Sequence, residues 1–370
     1  INMAIAVLLF TALFVETFPG NLCAQQTKIF THKEFTQIMN SLSEEGGYYR
    51  DDIWITNEQT YLDVIPALKD RNVKGGVYLG VAPSQNYTYI AAVKPELAFI
   101  IDIRKQNRMQ HLVYKILFEI SETRAEFFSY LFSKPINPAW VPEISAGIDE
   151  IVAFFGNSAS DSNMLVRSRD MTVEMLESKY GIDLDSNDIQ QITAVFRVFH
   201  EYNLGITSNG GQRNQGRGGY NRRGGRRRPT YAEILTLVDP DGNQSNAFSS
   251  RENYIFLRNM HLENRIIPIT GDFAGTKAIA AVAEFINQRK LTVSAFYTSN
   301  VEYYLFQNMV FDRWAKNVKL LPIDENSVFI RNFSRNYRVT WLQLMKTFVS
   351  DFDNGVYRSY YDLAESDHIR

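Results

Sequence analysis

Five polar turns in the sequence follow apolar runs that predict buried strands. They are residues 80–86 (GVAPSQN), 102–104 (DIR), 271–275 (GDFAG), 297–302 (YTSNVE) and the pair Arg331 and Asn332. In an open parallel sheet, ligands bind beyond the carboxyl ends of the strands. Carboxylates, amides and hydroxyls gathered at that edge can hydrogen-bond a small molecule. The pattern therefore predicts a pocket for a small polar ligand at one edge of a sheet.

Other catalytic patterns are weak or absent in the sequence. No metal-ligand spacing joins the histidines, which are His32, His111, His200, His261 and His368. The sequence has no GxSxG turn and no GKS or GKT after a glycine-rich loop, which disfavours an α/β-hydrolase and a P-loop nucleotidase. Residues 239–243 (DPDGN) resemble the start of a calcium loop, but Ser250 stands where a glutamate is needed, so a plain Asp/Gly turn is favoured. We assign no metal site and no catalytic residue, while an acid–base or cation-binding pair of Asp102 with Asp272 stays open.

A strand–helix–strand unit is predicted around the first polar turn. Residues 77–81 (VYLGV) and 97–103 (LAFIIDI) are continuous apolar runs, typical of strands buried on both faces. Residues 86–93 make two helical turns between them, and the helix ends before Pro95 because the residue preceding a proline avoids the α conformation. This arrangement predicts a βαβ unit with parallel strands.

The remaining elements alternate in the same way. Helices are predicted at residues 31–42, at 58–69 with Asn57 as N-cap, from 106 onward, and at 162–180, 186–202, 275–288 and 301–315, and strands at 265–272, 291–299 and 327–333. Because residues 135–202 show no strong strand signal, we expect a helical insertion at residues 135–230. For Glu58 two interpretations stay open, a contact with ligand or a place in the first helical turn. The predicted fold is α/β, with a mainly parallel sheet and helices on both faces.

The order of these features resembles a known fold. The segments YLGVAPSQNYTYIAAVKPELAFIIDIR, ITGDFAG and AFYTSNVEYYLF are similar to a family of exported bacterial proteins with no assigned reaction, which itself resembles class I S-adenosylmethionine-dependent methyltransferases. The resemblance extends from about residue 35 to residue 333, apart from a Gly/Arg-rich segment. It implies a single Rossmann-like, methyltransferase-like domain over residues 25–370, with S-adenosylmethionine as the expected cofactor and methyl transfer as the expected reaction.

The resemblance also implies which residues hold that cofactor. The turn with Gly80, Ala82 and Ser84 would face its methionine part, Asp102 its ribose, Asp272 its adenine amine, and Tyr297 and Asn300 the transferred methyl group. The neighbouring residues Gln85, Asn86 and Arg104 are also expected to bind the cofactor. Methyltransferase turns carry several glycines, whereas here Ala82 should avoid a positive φ and Pro83 lacks an N–H. The alternative is a non-catalytic exported binding or scaffold protein on a degenerate methyltransferase frame.

Residues 209–229 (NGGQRNQGRGGYNRRGGRRRP) form a low-complexity segment with seven arginines and no acidic residue. Its composition cannot bury a core, so we expect a disordered, solvated insert. The whole chain has a net charge of −2, and the rest of it is therefore acidic. We expect no nucleic-acid partner despite this segment. With 45% hydrophobic and 22% charged residues, the rest should fold as a globular protein.

The N-terminal region predicts export. Residues 4–15 (AIAVLLFTALFV) are an apolar run too short to span a bilayer, and LCA before residue 25 resembles a cleavage site after Ala24. We expect a signal peptide at residues 1–24, a periplasmic or envelope location and no transmembrane span in the mature chain. A mature chain cut there would contain no cysteine, since Cys23 is the only one. Lipidation of Cys23 and a cytoplasmic location without cleavage are the open alternatives.

Overall fold

The computed structural model describes residues 30–49, 52–137, 141–211, 228–334, 338–366 and 369. The predicted signal peptide, including Cys23, lies outside the described residues. Most of the Gly/Arg-rich segment, residues 212–227, also lies outside them.

A mainly parallel sheet forms the centre of the molecule. Its strands are β1 (Val77–Gly80), β2 (Leu97–Asp102), β3 (Ile266–Thr270), β4 (Val293–Ser299), β5 (Ile323–Ser334) and β6 (Arg338–Leu344). Their order is β3-β2-β1-β4-β5-β6; the first five strands run parallel, and β6 pairs antiparallel with β5. Since β2 lies on one side of β1 and β4 on the other, the strand order reverses between β1 and β4. In open α/β sheets such a reversal leaves a crevice at the carboxyl ends of the two strands, and we call this region between β1 and β4 the crevice.

Helices flank the sheet. They are α1 (His32–Leu42), α2 (Ile65–Asp70), α3 (Asn86–Val93), α4 (Lys105–Ile120), α5 (Arg124–Phe132), α6 (Ile148–Asn157), α7 (Ser162–Glu174), α8 (Ser186–Tyr202), α9 (Tyr231–Leu235), α10 (Arg251–Leu262), α11 (Ala278–Gln288), α12 (Val301–Gln307), α13 (Phe311–Val318), α14 (Met345–Asp353) and α15 (Tyr360–Glu365). A π-helical turn, Met175–Lys179, continues α7, and a 3-10 turn, Asn203–Gly205, follows α8. The helix α4 packs on β2 and β3, α3 on β1 and β4, and α14 on β5.

The predicted βαβ unit is confirmed. Every residue of β1 and β2 is buried, which explains why both sequences are apolar without alternation. The predicted α1 is also confirmed, with a capping box in which Thr31 Oγ1 accepts a hydrogen bond from the Glu34 N–H at 3.2 Å. In the described part of residues 135–202 there is no strand, as expected.

The prediction of a helix capped by Asn57 is wrong. The helix α2 begins seven residues later, at Ile65, with Pro66 in its first turn and no side-chain cap. Thr56 Oγ1 accepts the Glu58 N–H at 3.1 Å and fixes the local turn instead. Glu58 is therefore not in a first helical turn, and that interpretation of it is also wrong.

The final hairpin was not anticipated. Strand β5 begins at Ile323, earlier than the predicted residue 327, and β6 pairs with it from Val328 to Ser334. The sequence between the strands has no two-residue hairpin signal such as Asn-Gly.

No helix in the described ranges is both long enough and apolar enough to cross a lipid bilayer.

Candidate functional site

Both turns that border the crevice contain a non-glycine residue in the left-handed region. Ala82, after β1, has φ 68°, and Ser299, at the end of β4, has φ 54°. The expectation that Ala82 avoids a positive φ is wrong. Such a conformation costs on the order of 1 kcal/mol for a residue with a Cβ, and it persists only where the surroundings enforce it. The groups that enforce it are the first indication of a built site.

Asn86 fills the turn after β1. Its side chain is fully buried, and its Nδ2 lies 2.8, 3.0 and 2.7 Å from the carbonyl oxygens of Val81, Ala82 and Pro83. Its Oδ1 accepts a hydrogen bond from the Tyr78 hydroxyl at 2.9 Å. A Cβ added at Gly80 would lie 1.9 Å from this oxygen. Gly80 is therefore required by the protein's own Asn86 side chain, whether or not a ligand binds.

His111 holds Ala82 from the other side. Its Nε2 lies 2.9 Å from the Ala82 carbonyl oxygen, and its Nδ1 lies 2.9 Å from the Tyr87 hydroxyl. Burial lowers the pKa of His111 to about 4, so the ring is neutral at pH 7. Since a carbonyl only accepts, Nε2 carries the proton and Nδ1 accepts from Tyr87. Sequence reasoning missed this role, because α4 and the β1 turn meet only in the folded chain.

Glu58 is a buried acid at the carboxyl end of β4. It is only 5% exposed, and its Oε1 accepts a hydrogen bond from Ser299 Oγ at 2.5 Å. Its Oε2 is buried and makes no hydrogen bond of normal geometry, although the Tyr297 hydroxyl lies near the carboxyl group. Burial raises the pKa of Glu58 to about 7, and the hydroxyls of Ser299 and Tyr297 partly offset this effect. At neutral pH the carboxyl group exchanges readily between its charged and neutral forms.

Gln85 and Tyr297 complete this group. Gln85 Nε2 donates a hydrogen bond to the Tyr297 hydroxyl, while Gln85 Oε1 is buried without a partner. Burial and the nearby Glu58 carboxylate raise the pKa of Tyr297 well above its ordinary value, so it stays protonated. We call Glu58, Gln85, Tyr297 and Ser299 the crevice cluster. Two of the predicted site residues, Gln85 and Tyr297, belong to it.

A small cavity adjoins Gln85. Its volume is about 20 Å³, enough for one water-sized group. Its polar lining includes Thr56, Ser84, Thr88 and Asn246. The predicted residue Ser84 thus faces this cavity, and Asn300 lies beside Ser299 as the residue before α12.

Asp102, the predicted ribose-binding residue, forms an ion pair with its neighbour. Arg104 Nε and the Arg104 N–H both donate to Oδ1 at 2.9 Å, and Arg104 Nη2 donates to Oδ2 at 2.7 Å. Both side chains are buried. The Asp102 carboxylate is therefore already satisfied by the β2 turn itself.

Asp272 lies at the end of the adjacent strand β3. Its Oδ1 accepts the Ala274 N–H at 2.9 Å and stabilises its own turn. The Gly271 N–H donates to the Asp102 carbonyl oxygen at 2.9 Å, so the two strand-end turns are joined through the backbone. The predicted pairing of these two carboxylates stays a prediction.

No metal site is found in the described residues, where no group of three or more His, Cys, Asp or Glu side chains is placed to hold an ion. In the DPDGN run, Asp239 Oδ1 accepts the N–H groups of Asp241 at 3.0 Å and Asn243 at 2.9 Å. The Asp/Gly turn favoured by the sequence is confirmed.

The fold and the crevice together define an α/β protein with a mainly parallel six-stranded sheet and a buried acid at its carboxyl edge. A family model described as "Domain of unknown function (DUF7790)" matches residues 53–138 and 163–357. The match covers more than half of the chain, so the chain belongs to this family. It includes the whole crevice cluster. A search of curated proteins found no match.

Proposed function

We propose that this protein binds a small polar ligand carrying an N–H or O–H donor in the crevice between β1 and β4, on a methyltransferase-like frame. The observation that carries the proposal is the Glu58 Oε2 atom, which is buried without a hydrogen-bond partner. Buried carboxylate oxygens are normally satisfied, since leaving one unpaired costs several kcal/mol. A donor on a ligand would supply the missing partner, and Gln85 Oε1 offers a second acceptor nearby.

The strand order supports a Rossmann-like frame. Doubly wound sheets have the order 3-2-1-4-5-6, and their ligands bind where the order reverses. The order β3-β2-β1-β4-β5-β6 agrees with it, although β6 is antiparallel. The crevice cluster lies at the reversal, between the turns that contain Ala82 and Ser299.

Two contacts within the protein argue against S-adenosylmethionine at the position implied by the methyltransferase resemblance. Asn86 fills the turn that would contact the methionine part, and Arg104 occupies the carboxylate of Asp102 that would accept from the ribose. The geometry therefore favours a binding protein on a methyltransferase-like frame over methyl transfer. The partner of Glu58 would be an amine, an amide or a hydroxyl.

Isothermal titration calorimetry tests the proposal with a panel of amines, polyols and nucleosides that includes S-adenosylmethionine and S-adenosylhomocysteine. We expect donor-bearing compounds to bind in the micromolar range, which corresponds to about −8 kcal/mol. The variant Glu58→Gln should weaken that binding by about 1.5–3 kcal/mol, because a charge-assisted hydrogen bond is lost.

The matched variant is Asp102→Asn, which alters the ion pair at the neighbouring strand end. If S-adenosylhomocysteine binds, and Asp102→Asn weakens that binding while Glu58→Gln leaves it unchanged, the proposal is overturned and S-adenosylmethionine becomes the expected cofactor. If no compound of the panel binds the wild-type protein, the proposal is wrong and the alternative of a non-binding scaffold protein replaces it.

A further inference from the structure

A short segment crosses the carboxyl edge of the sheet beside the crevice. We call residues 43–49 (SEEGGYY) the strap. The Glu44 N–H donates to the Thr270 carbonyl oxygen of β3 at 3.0 Å, and the Gly47 N–H donates to the Ile103 carbonyl oxygen beyond β2 at 2.9 Å. At its far end, the Tyr49 hydroxyl donates to the Tyr304 hydroxyl of α12 at 3.0 Å. The strap thus runs from β3 over β2 to the helix that follows β4.

The Glu44 carboxylate fastens the strap to the turn after β3. Its Oε1 accepts the Asp272 N–H at 2.7 Å, and its Oε2 accepts the Lys277 N–H at 3.2 Å. Lys277 Nζ also donates to the Ser43 carbonyl oxygen. A Cβ added at Gly275 would lie 2.4 Å from Glu44 Oε1. The turn at residues 271–277 is therefore shaped around this carboxylate, which comes from a distant part of the chain.

The strap lies directly on the turn after β2. A Cβ added at Gly47 would lie 2.5 Å from Ile103 Cδ1, so a larger residue would require the Ile103 side chain to move. The opposite side of residues 45–48 is exposed, and Tyr48 is 87% exposed. Between Glu44 and Tyr48 the strap has no large buried side chain, so lifting it away from the sheet would expose none. Segments held by few buried contacts open at low cost.

We propose that the strap is a lid over the turns after β2 and β3, beside the crevice, and that Glu44 is its latch. With the latch closed, a ligand at Glu58 is confined to the crevice between β1 and β4. A nucleoside-sized ligand that extends toward Asp102 and Asp272 requires the strap to open. The role of the lid in ligand binding rests on the proposed function. The latch itself is a property of the free protein and can be tested without a ligand.

Hydrogen exchange followed by mass spectrometry on the full chain tests the latch without any ligand. The variants are Glu44→Ala and, as a matched control, Glu45→Ala, whose exposed side chain adjoins the latch. We expect amides of the strap to exchange at least about tenfold faster in Glu44→Ala, and strands β1 and β2 to stay protected. In Glu45→Ala the strap should exchange as in the wild type.

A second measurement reports on what the strap covers. In a Cys23→Ser background, Ile103→Cys places a thiol beneath Gly47, and maleimide labelling measures its accessibility. Labelling should be about tenfold faster with Glu44→Ala than with Glu45→Ala if opening exposes the site. Equal exchange and equal labelling in the two variants would overturn the latch. Failure of every ligand to bind would instead refute the proposed function and leave these results unaffected.

Discussion

At the scale of single residues, the protonation of Glu58 links the crevice to the stability of the fold. Its carboxyl is buried, accepts one hydrogen bond from Ser299 and leaves Oε2 unpaired. The folded state raises its pKa from 4.5 to about 7, so between these pH values the folded protein binds more protons than the unfolded chain. By linkage, the contribution of Glu58 to stability falls as the pH rises through this window.

The variant Glu58→Gln should therefore be pH-dependent in its effect on unfolding. Each pKa unit corresponds to about 1.4 kcal/mol, so we expect the variant to be more stable than the wild type by up to about 3 kcal/mol at pH 8. At pH 4.5 the Glu58 carboxyl is protonated in the folded state and half protonated in the unfolded chain, so the difference in stability should be small. Urea denaturation of the wild type and the variant at both pH values measures the difference in their free energies of unfolding. Other titrating groups, such as His111, contribute equally to both proteins and cancel in this difference. A difference that is the same at both pH values would contradict the assignment.

At the scale of elements, the β1–α3 turn is held by one buried amide. Asn86 binds three carbonyl oxygens of the turn and receives the Tyr78 hydroxyl, and His111 binds the strained Ala82 from α4. The turn therefore has its shape before any ligand arrives. This preorganisation suits a binding site, because no ordering is required when a ligand binds.

Gly80→Ala should destabilise the protein strongly. The new Cβ would lie 1.9 Å from Asn86 Oδ1, so we expect a loss of about 2–3 kcal/mol from the free energy of unfolding. The control is Gly156→Ala in α6, where no heavy atom lies within 4 Å of the added Cβ. That change should be neutral or stabilising by up to about 1 kcal/mol.

Chemical denaturation of the double variant Gly80→Ala/Asn86→Ala identifies the cause. The closest clash is with Asn86 Oδ1, and Tyr78 Cε1 follows at 2.8 Å, so the two losses should not add fully and the coupling should exceed about 1 kcal/mol. Additive losses would show that Gly80 is required for another reason.

At the scale of the whole molecule, the ends of the Gly/Arg-rich segment are held to the rest of the fold by defined backbone contacts. The Tyr231 N–H donates to the Ile206 carbonyl oxygen at 2.9 Å, so the two ends of the Gly/Arg-rich segment meet. The Trp54 N–H donates to the Ser208 carbonyl oxygen at 2.9 Å, and a Cβ at Gly210 would lie 3.0 Å from Trp54 Nε1. Ser208 and Gly210 therefore pack against the segment that leads to Glu58.

Removing residues 212–227 should leave the melting temperature within a few degrees, because closing a shorter loop between adjacent ends costs little. A longer deletion of residues 209–229 should lower it further, since the contact of Gly210 with Trp54 is lost. Differential scanning calorimetry of both variants provides the measurement. A large drop with the shorter deletion would show that the Gly/Arg-rich segment contributes to the folded core.

Much of the framework follows from local sequence. The apolar runs of β1 and β2 predict fully buried strands, because only a sheet covered on both faces tolerates them. The sequence Thr31-His32-Lys33-Glu34 predicts the start of α1, because its capping box involves residues three apart. The predicted helix at residues 186–202 is confirmed without a change of boundary. The signals for these elements lie within single elements, where propensity and capping act.

The crevice was decided by contacts between distant segments. Glu58 and Ser299 are 241 positions apart, and no pattern near Glu58 predicts its burial or its raised pKa. The sequence predicts that the carboxylate of Asp102 is free to bind a ligand, but in the folded turn it accepts hydrogen bonds from Arg104. Local sequence by itself determined most of the strands and helices and the edge at which polar turns collect. Only the tertiary structure decided which polar groups are satisfied by the protein and which buried atoms, such as Glu58 Oε2 and Gln85 Oε1, are left without a partner, because burial and hydrogen-bond geometry depend on the whole packed chain.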